Sequence, residues 1–503
     1  MRRWELTVAL GADDRLPLFL QLANAIADDI HRGRLKPGDP LPGTRELAQS
    51  LGVSRNTVVA GYDELAAEGL VDTRVGGGTR VAATAPPPRA QPAPADAPTY
   101  ALAPMPPHLP APPAPAAAGA LSLAAGVPDP RLFPSAALAR AFRRAIGPRA
   151  RSLLGYTDPC GHPRLRCALA DMLARTRGLS ATPENVMVTR SIEQAIDLVA
   201  RALLAPGDVV AVEAFGYPPA WSVLQMAGAR LLPLPLDDDG LDVDALQALL
   251  ARERVRAVLL TPHHQFPTTR VMSAPRRARL AALALEHRFA IIEDDYDHEY
   301  HYAGKPVLPI AAGAGRANVV YVGALSGVLA PGIGTAFVTA PPPVFERLAA
   351  LRAASDARGD AAMECAIAEL FEDGELLRHV RRTRRVYAAR RDALADALAR
   401  HLGGALRFRL PAGGLALWAR ADDGIDVAAW ARAGADEGVG FRDARAFDFR
   451  RRPQPYLRLG FSYLDEAELE EAARRMARAL ARLRGRAPRA AADPSRVASG
   501  VAA

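Results

Sequence analysis

A long segment rich in alanine and proline, residues 83–118, constrains the fold of this chain more than any other feature. This composition cannot bury a core and favours extended, polyproline-like backbone, so it predicts a semi-rigid linker. A chain of 503 residues also suits more than one domain, at about 100–200 residues each. We therefore predict a multidomain protein with domains at residues 1–82 and 119–485, followed by a disordered tail at residues 486–503.

Composition excludes several classes of protein. No stretch approaches the roughly 18 consecutive apolar residues of a membrane-spanning helix, and no apolar signal core follows the first residues, so we expect a cytoplasmic protein without membrane contact. The three cysteines, Cys160, Cys167 and Cys365, are too few for a disulfide framework, and none belongs to a CxxC zinc motif. The net charge of +8 permits a polyanionic partner without establishing one.

The first segment has the pattern of three helices followed by two short strands. Apolar residues recur at helical spacing over residues 18–32, Thr44 can cap a second helix, and Ser54 can cap a third. Gly52 begins a tight turn between these two helices, and three glycines at residues 76–78 suit the tip of a β-hairpin. This order is typical of a winged helix-turn-helix, whose recognition helix enters the major groove of DNA.

The first turn of the third helix carries side chains that can read DNA. Arg55 can contact guanine and Asn56 adenine, while Ser54 and Thr57 suit a phosphate at the helix N-terminus. Contacts with the DNA backbone are expected from Arg45, Arg74, Thr79 and Arg80. Net charge gives no support for DNA binding by this segment, because residues 1–81 hold ten basic and eleven acidic side chains. Taken alone, the four-residue motif could instead merely cap an exposed helix.

Three stretches of this segment, residues 35–48, 51–58 and 65–71, closely resemble the winged helix of the GntR family of bacterial regulators. The resemblance spans residues 15–82. It implies a homodimer that reads a two-fold symmetric operator in double-stranded DNA. This context favours DNA contact over simple capping for residues 54–57.

The second segment alternates short apolar strands with helices. Seven strands are predicted, at residues 186–189, 209–212, 230–233, 258–261, 290–293, 319–322 and 335–338. Helical spacing between them, as in residues 192–204 and 275–287, indicates βαβ units and a largely parallel sheet. A smaller C-terminal α+β lobe is predicted from helices at residues 344–355, 361–398 and 466–483 and strands at 406–410, 416–420 and 457–461.

Five motifs of the second segment resemble a fold-type-I, aminotransferase-like α/β domain. They lie at residues 155–161, 212–217, 261–268, 291–297 and 457–461. Joined to a GntR head, such a domain is the architecture of the MocR/GabR subfamily of regulators. The resemblance covers residues 119–485.

In such domains pyridoxal phosphate is held by a covalent link to a lysine and by an acid paired with its pyridinium nitrogen. The resemblance implies that Asp294 contacts this nitrogen, Tyr296 the ring hydroxyl and Tyr217 the face of the ring. It implies that Arg458 clamps a ligand carboxylate. A structural role for Asp294 and a core position for Tyr217 are the alternatives.

The lysine of the family pattern is missing. Its position is Gly327, and neither Lys36 nor Lys305, the two lysines of the chain, lies at a matching position. Transamination needs this lysine to move a proton, so we expect no covalent cofactor and no transaminase turnover.

The phosphate site also departs from the family. The usual threonine is Ala324, the usual arginine is Gly334, and the usual Gly-Ser/Thr turn is Ser191 followed by Ile192, while Ser326 alone matches. Noncovalent binding of pyridoxal phosphate, or of an amino acid through Arg458, stays open.

These observations favour a transcriptional regulator whose aminotransferase-like domain is a dimer scaffold and a sensor of a small-molecule effector, an amino acid or a vitamin B6 derivative. An aminotransferase of class I/II with a vestigial DNA-binding head is the alternative, and the missing lysine argues against it. A third hypothesis reduces the large domain to a dimerisation body. The linker, at up to about 3.1 Å per residue, is long enough for a head-to-tail dimer.

Two further groups of side chains have simpler interpretations. His263, His264, His298 and His301 lack HExxH spacing, and the first two lie in a family motif, so no metal site is predicted. The arginines between residues 378 and 385 are interpreted as a solvated helix face, with contact to DNA or a partner chain as the alternative.

Overall fold

The computed structural model describes residues 16–74, 78–83, 105–109, 119–124, 126–147 and 150–485. The chain divides into two compact units, Met1–Ala103 and Pro104–Ala503. Most of the predicted linker, part of the wing tip and the predicted disordered tail lie outside the described residues. A piece of the predicted linker packs within the larger unit, because His108 is buried and its Nε2 lies 2.8 Å from the carbonyl oxygen of Phe449. The larger unit therefore begins before residue 119.

The smaller unit is a three-helix domain with a β-hairpin. Its elements are α1 (Leu18–His31), α2 (Thr44–Leu51), α3 (Arg55–Ala67), β1 (Val71–Arg74) and β2 (Gly78–Val81). The two strands are antiparallel, as a wing requires. Ser54 caps α3, which confirms the prediction, but the predicted cap Thr44 is wrong: Gly43 holds the extended cap conformation and Thr44 is the first helical residue.

Close packing of α1 on α3 forms the core of this unit. A Cβ atom at Gly61 would lie 3.1 Å from the carbonyl oxygen of Phe19, so glycine allows the two helices to approach. Leu22, Ile26 and Val58 are fully buried between the helices. The predicted recognition helix, α3, is thus held by packing along its inner face.

The strands of the larger unit form one main sheet and several small ones. They are β3 (Leu121–Ser122), β4 (Val186–Thr189), β5 (Val209–Glu213), β6 (Arg230–Leu234), β7 (Leu236–Asp237), β8 (Gly240–Leu241), β9 (Val255–Leu260), β10 (Ala290–Asp295), β11 (Val319–Ala324), β12 (Ala336–Thr339), β13 (Leu406–Phe408), β14 (Ala416–Ala421), β15 (Val439–Gly440), β16 (Arg442–Asp443) and β17 (Tyr456–Gly460). The main sheet has the order β4-β12-β11-β10-β9-β5-β6. Only β12 pairs antiparallel with its neighbours in this sheet, so the predicted seven strands and largely parallel sheet are confirmed.

Helices cover the sheet and build the smaller lobe. They are α4 (Ser135–Ala145), α5 (Ala150–Leu153), α6 (Pro163–Arg177), α7 (Ile192–Leu203), α8 (Pro218–Met226), α9 (Val243–Leu250), α10 (Ala274–His287), α11 (Pro342–Ser355), α12 (Ala361–Glu372), α13 (Glu375–Leu402), α14 (Val427–Asp436) and α15 (Glu466–Leu483). The single helix predicted at residues 361–398 is wrong, because Gly374, with φ of +68°, breaks it into α12 and α13. Among the described residues, no helix is both long and apolar enough to cross a membrane.

The predicted C-terminal α+β lobe is present. Its antiparallel sheet has the order β13-β14-β17-β16 and packs on α13, α14 and α15. Trp430 is fully buried there, and its indole N–H donates to the carbonyl oxygen of Met476 at 2.9 Å. The lobe places Arg458, on β17, towards the main sheet of the same unit, where it stacks on Phe266.

A buried ion pair joins α13 to the segment that precedes α4. The guanidinium of Arg390 donates to Asp129 at 2.9 Å and to the carbonyl oxygen of Ser462 at 2.6 Å. Both charged side chains are almost completely buried. Removing one member of such a pair leaves the other charge desolvated without compensation.

We therefore expect Arg390→Ala to lower the free energy of unfolding by about 3–5 kcal/mol. Arg385→Ala, on the exposed side of the same helix, is the matched control and should change stability by no more than about 0.5 kcal/mol. Urea denaturation followed by circular dichroism measures both. Equal stabilities for the two variants would contradict the assignment of Arg390 as a structural tie.

Candidate DNA-reading surface and ligand site

The start of α3 presents its predicted DNA-reading side chains to solvent. Ser54, Arg55 and Asn56 are exposed, and Arg45 on α2 is exposed as well. The Ser54 hydroxyl accepts from the backbone N–H of Thr57 at 3.1 Å and lies 2.8 Å from its hydroxyl, so both hydroxyls support the helix start. Arg55 is directed by a 3.4 Å contact between its Nε and the hydroxyl of Thr44. Two arginines and an asparagine thus remain available to a ligand.

The wing differs from the sequence-based expectation. Thr79 is only 8% exposed and its hydroxyl lies 3.4 Å from that of Thr73, so it belongs to the interior of the hairpin. The burial of Thr79 therefore argues against the predicted contact of this residue with DNA. Arg80 is exposed and donates to the carbonyl oxygen of Gly38 at 3.1 Å. The side chain of Arg74 lies outside the described residues.

In the larger unit, the carboxyl ends of the parallel strands gather acidic side chains. Asp294, near the end of β10, is 4% exposed, and its Oδ1 has no hydrogen-bond partner among the described residues. Burial, followed by the nearby carboxylates of Asp295 and Glu193, raises the pKa of Asp294 well above its usual value. A buried acceptor at this edge of an α/β sheet suits an N–H donor from a ligand.

Phe266 brings the other family-implied residues together. Its ring packs edge-on against Tyr217 and Tyr296, with centroids 5.4 and 5.8 Å away. The guanidinium of Arg458 lies 4.7 Å from the centre of the same ring. A Cβ atom at Gly126 would approach this guanidinium to 2.6 Å, so the glycine leaves room for Arg458. The sequence analysis did not identify Phe266 as the ring on which these side chains pack, although Phe266 lies within the motif at residues 261–268.

The position of the family's lysine has little space. A Cβ atom at Gly327 would lie 3.0 Å from the carbonyl oxygen of Tyr296, a tight contact. Lys305 is exposed in the loop after β10, and Lys36 belongs to the smaller unit. No described lysine side chain therefore lies among the buried residues of this site.

The region where the family pattern places the cofactor phosphate offers few hydrogen-bond donors. Ala324 is buried, and a Cβ atom at Gly334 would lie 2.8 Å from the carbonyl oxygen of Arg190, too close for a side chain without a backbone shift. The Ser191 hydroxyl accepts from the backbone N–H of Gln194 and so caps α7. The side chain of Arg190 is 59% exposed and lies 4.0 Å from Asp356.

Glu193 adds a negative charge in the first turn of α7. Its Oε1 accepts from the hydroxyl of Tyr217 at 2.6 Å. A carboxylate beside a helix start repels a phosphate dianion, which would bind there otherwise. The residues present therefore fit the ring nitrogen of pyridoxal phosphate, through Asp294, and fit neither its covalent link nor its phosphate.

The structure also brings together four histidines for which no metal site is predicted. His263 and His264 follow β9, and His298 and His301 follow the neighbouring strand β10. The rings of His263 and His298 are stacked, with centroids 4.4 Å apart. HExxH spacing could not reveal this group, because its members lie on two separate loops.

A buried carboxyl at the end of β5 makes stability depend on pH. Burial raises the pKa of Glu213 from its ordinary value of 4.5 to about 7, against the hydrogen bonds that it accepts from Thr261. The folded state then holds a proton that the unfolded state releases. This contribution to stability is complete below the unfolded pKa of 4.5 and is lost as pH rises towards 7.

We expect Glu213→Gln to flatten the decline in stability between about pH 5 and pH 8, by at most about 3 kcal/mol. Part of the pH dependence of stability should remain in this variant, because burial also raises the pKa of Glu293 to about 7. Glu346→Gln, at an exposed position of α11, is the matched control and should leave the slope unchanged. Urea denaturation at several pH values measures the difference, and identical slopes in all three proteins would refute it.

Comparison with known proteins supports the identity of both predicted domains. The family model described as aminotransferase class I and II matches residues 119–476, and the model described as bacterial regulatory proteins, gntR family, matches residues 18–81. Among solved structures, the alpha-aminoadipate aminotransferase LysN from Thermus thermophilus has a TM-score of 0.68 and 31% identity, covering 73% of this chain and 94% of LysN.

Two curated regulators match almost the whole chain. The probable rhizopine catabolism regulatory protein MocR of Rhizobium meliloti is 32% identical, over 92% of this chain and 94% of its own length. The pyridoxine biosynthesis transcriptional regulator PdxR of Corynebacterium glutamicum is also 32% identical, over 87% of this chain and 94% of its own. With both domains matched in this order, the chain belongs to the MocR/GabR subfamily of GntR-family transcriptional regulators.

Proposed function

We propose that this transcriptional regulator uses its aminotransferase-like domain as a dimerisation and ligand-sensing body that does not catalyse transamination. One combination of observations carries the proposal: the start of α3 is exposed with Arg55 and Asn56 available, while the position of the family's lysine is Gly327. The DNA-reading part keeps its chemistry, and the catalytic part lacks its nucleophile. The protein acts on DNA in the cytoplasm.

The head supplies the DNA contacts. Arg55 suits bidentate contact with guanine and Asn56 with adenine, and Arg45 suits phosphate. A homodimer of such heads reads a two-fold operator, with the recognition helices one or more DNA turns apart. Specificity rests on these side chains, because the head has no net positive charge to hold DNA unspecifically.

The large domain lacks what transamination requires. Glycine at position 327 offers no amine to hold pyridoxal phosphate covalently or to move its proton. Each charge-assisted contact to a phosphate contributes about 1.5–3 kcal/mol, so the losses at Ala324 and Gly334 weaken binding by orders of magnitude. The alternative, an aminotransferase with a vestigial head, would need another lysine in the site.

The residues that remain suit a small zwitterion. Arg458 is a buried guanidinium that can bind a carboxylate, and Asp294 offers a free acceptor oxygen to a cationic N–H group. An amino acid carries both groups. A vitamin B6 derivative without a phosphate could use Asp294 through its ring nitrogen.

We expect Arg55→Ala to weaken binding to a selected DNA site by about 1–3 kcal/mol, because one base pair loses its bidentate contact. The site is first selected from random double-stranded DNA with the full chain, and fluorescence anisotropy then measures affinity. Preference at the base pair that Arg55 reads should relax.

Arg201→Ala is the control for the loss of one positive charge, since Arg201 is an exposed residue of α7 in the larger unit. Its affinity should equal that of the parent. If the two variants bind alike, Arg55 reads no base, and if no sequence is enriched, the protein does not act as a sequence-specific regulator.

We expect a Gly327→Lys variant, mixed with pyridoxal phosphate, to form a covalent adduct that borohydride traps, whereas the parent shows free-aldehyde absorbance only. Gly327→Ala is the matched control, because it introduces the same tight Cβ contact with Tyr296 but no amine. Absorption spectra and intact-protein mass measure the outcome.

A trapped adduct in the parent would mean that another amine has replaced the lysine, and the proposal of a non-catalytic domain would fall. Absence of an adduct in a folded Gly327→Lys variant would contradict the assignment of position 327 as the place of the family's lysine. Turnover of an amino acid by the parent at about 1 per second would overturn the proposal directly.

A further inference from the structure

Four histidines meet between two adjacent loops of the larger unit. His263 and His264 lie after β9, and His298 and His301 lie after β10, its parallel neighbour in the main sheet. Ring centroids are 4.2 Å apart for His263 and His264, and 5.6 Å apart for His264 and His301, whose rings are stacked. Neither the proposed DNA contacts nor the proposed ligand contacts use these side chains.

His263 is the unusual member of this cluster. It is 2% exposed, and neither of its ring nitrogens has a hydrogen-bond partner among the described residues. Polar atoms buried without partners are rare in folded proteins and call for an explanation such as an ion. A neutral imidazole in such a position has a lone pair to offer to an ion.

His264 has the orientation of a metal ligand. Its Nδ1 lies 2.8 Å from Oδ1 of Asp297, while its Nε2 lies 3.3 Å from Nδ1 of His301. A carboxylate that accepts the second ring N–H is the usual support of a histidine bound to a metal. A Cβ atom at Gly413 would lie only 2.0 Å from this Nε2, so the glycine keeps side-chain atoms away from it.

We propose that His263, His264 and His301 bind a divalent transition-metal ion of the zinc class. Each offers a ring nitrogen, and the three nitrogens lie within 4.8 Å of one another. Tetrahedral zinc at about 2.0–2.1 Å from each nitrogen needs separations of about 3.3 Å, so small side-chain rotations suffice. Neutral imidazoles suit zinc, cobalt, nickel or copper and not magnesium or calcium.

Of the three proposed ligands, His301 borders a cavity through which an ion can reach the cluster. His301 and His298 line a cavity of about 880 Å³ that also contains the side chains of Arg381 and Arg384. Three protein ligands with one position open to a cavity is the arrangement of non-structural zinc sites. A small anion or water drawn from this cavity completes the coordination.

A second grouping, His263 with Asp295 and His298, also brings ligand atoms within 4.8 Å. Oδ2 of Asp295 accepts from the Tyr321 hydroxyl at 2.5 Å and lies 2.7 Å from Nδ1 of His298, but Oδ1 has no hydrogen-bond partner among the described residues, so this grouping is the competing site. The three-histidine site is preferred because Nε2 of His264 and Nδ1 of His301 already lie 3.3 Å apart, the separation that tetrahedral zinc needs. We therefore assign the ion to the three histidines.

The test uses the full-length, tag-free protein after treatment with a chelator. Co²⁺ is titrated in while its visible absorption bands are recorded, and Zn²⁺ then competes for the site. We expect one Co²⁺ per chain, bands of tetrahedral intensity, and a Kd below about 10 µM. No stoichiometric binding at this concentration would overturn the proposal.

Variants locate the ion. His301→Ala, at a half-buried position, and His264→Ala should each weaken binding by at least about 100-fold, more than the about 10–100-fold expected when a supporting residue such as Asp297 is changed to asparagine. His298→Ala and His287→Ala, the latter at the exposed end of α10, should bind like the parent. Circular dichroism checks that each variant is folded.

Two results would contradict the assignment. If His298→Ala abolishes binding while His301→Ala keeps it, the ion belongs to the second grouping. If all four histidine variants bind like the parent, the ion lies elsewhere on the chain. Metal binding is read without DNA or pyridoxal phosphate, so the result is independent of the proposed function.

Discussion

Four carboxylates at the end of β10 and in the loop after it set the electrostatics of the larger unit. They are Glu293, Asp294, Asp295 and Asp297, all nearly or completely buried. Burying a carboxylate costs several kcal/mol unless hydrogen bonds or opposite charges compensate it. Glu293 accepts two backbone N–H groups at 2.9 Å, Asp295 accepts from Tyr321 and faces His298, and Asp297 faces His264. The architecture around the strand is therefore largely an arrangement that compensates these charges.

Asp294 is the exception, because its Oδ1 has no hydrogen-bond partner among the described residues. In the family pattern a cationic cofactor and its lysine would balance the acids, whereas here Gly327 supplies no charge and Glu193 adds a negative one. Burial and like charges keep the pKa of Asp294 high. A ligand with an N–H donor would pair with the free oxygen of Asp294, whereas a phosphate dianion would add to the negative charge around it.

Much of this architecture could be predicted from the sequence, for identifiable reasons. The seven strands are short apolar runs bounded by turn residues, a pattern that survives without tertiary information. The break at Gly374 could not, because helical spacing continues on both sides of it. Thr79 was predictable in hindsight: it shares strand parity with Val81, which is buried, so both point inward. The histidine cluster could not be predicted, because its members meet only when β9 and β10 are neighbours in the sheet, and residue spacing within one loop gives no information about strand order.

Asp297 joins the histidine cluster to the ligand site. Its Oδ1 lies 2.8 Å from Nδ1 of His264. Burial and then the charge of Asp297 raise the pKa of Tyr296 well above its usual value, and burial lowers the pKa of Arg458 while Asp297 opposes that shift. An ion on His264 would make that ring a stronger donor to Asp297 and draw negative charge away from Arg458. A ligand carboxylate would then meet a guanidinium with less internal compensation and bind it more tightly. By thermodynamic linkage the ligand must strengthen ion binding by the same factor. If the proposed ion and ligand both bind, the shared carboxylate of Asp297 couples the two sites, and this coupling requires no covalent cofactor.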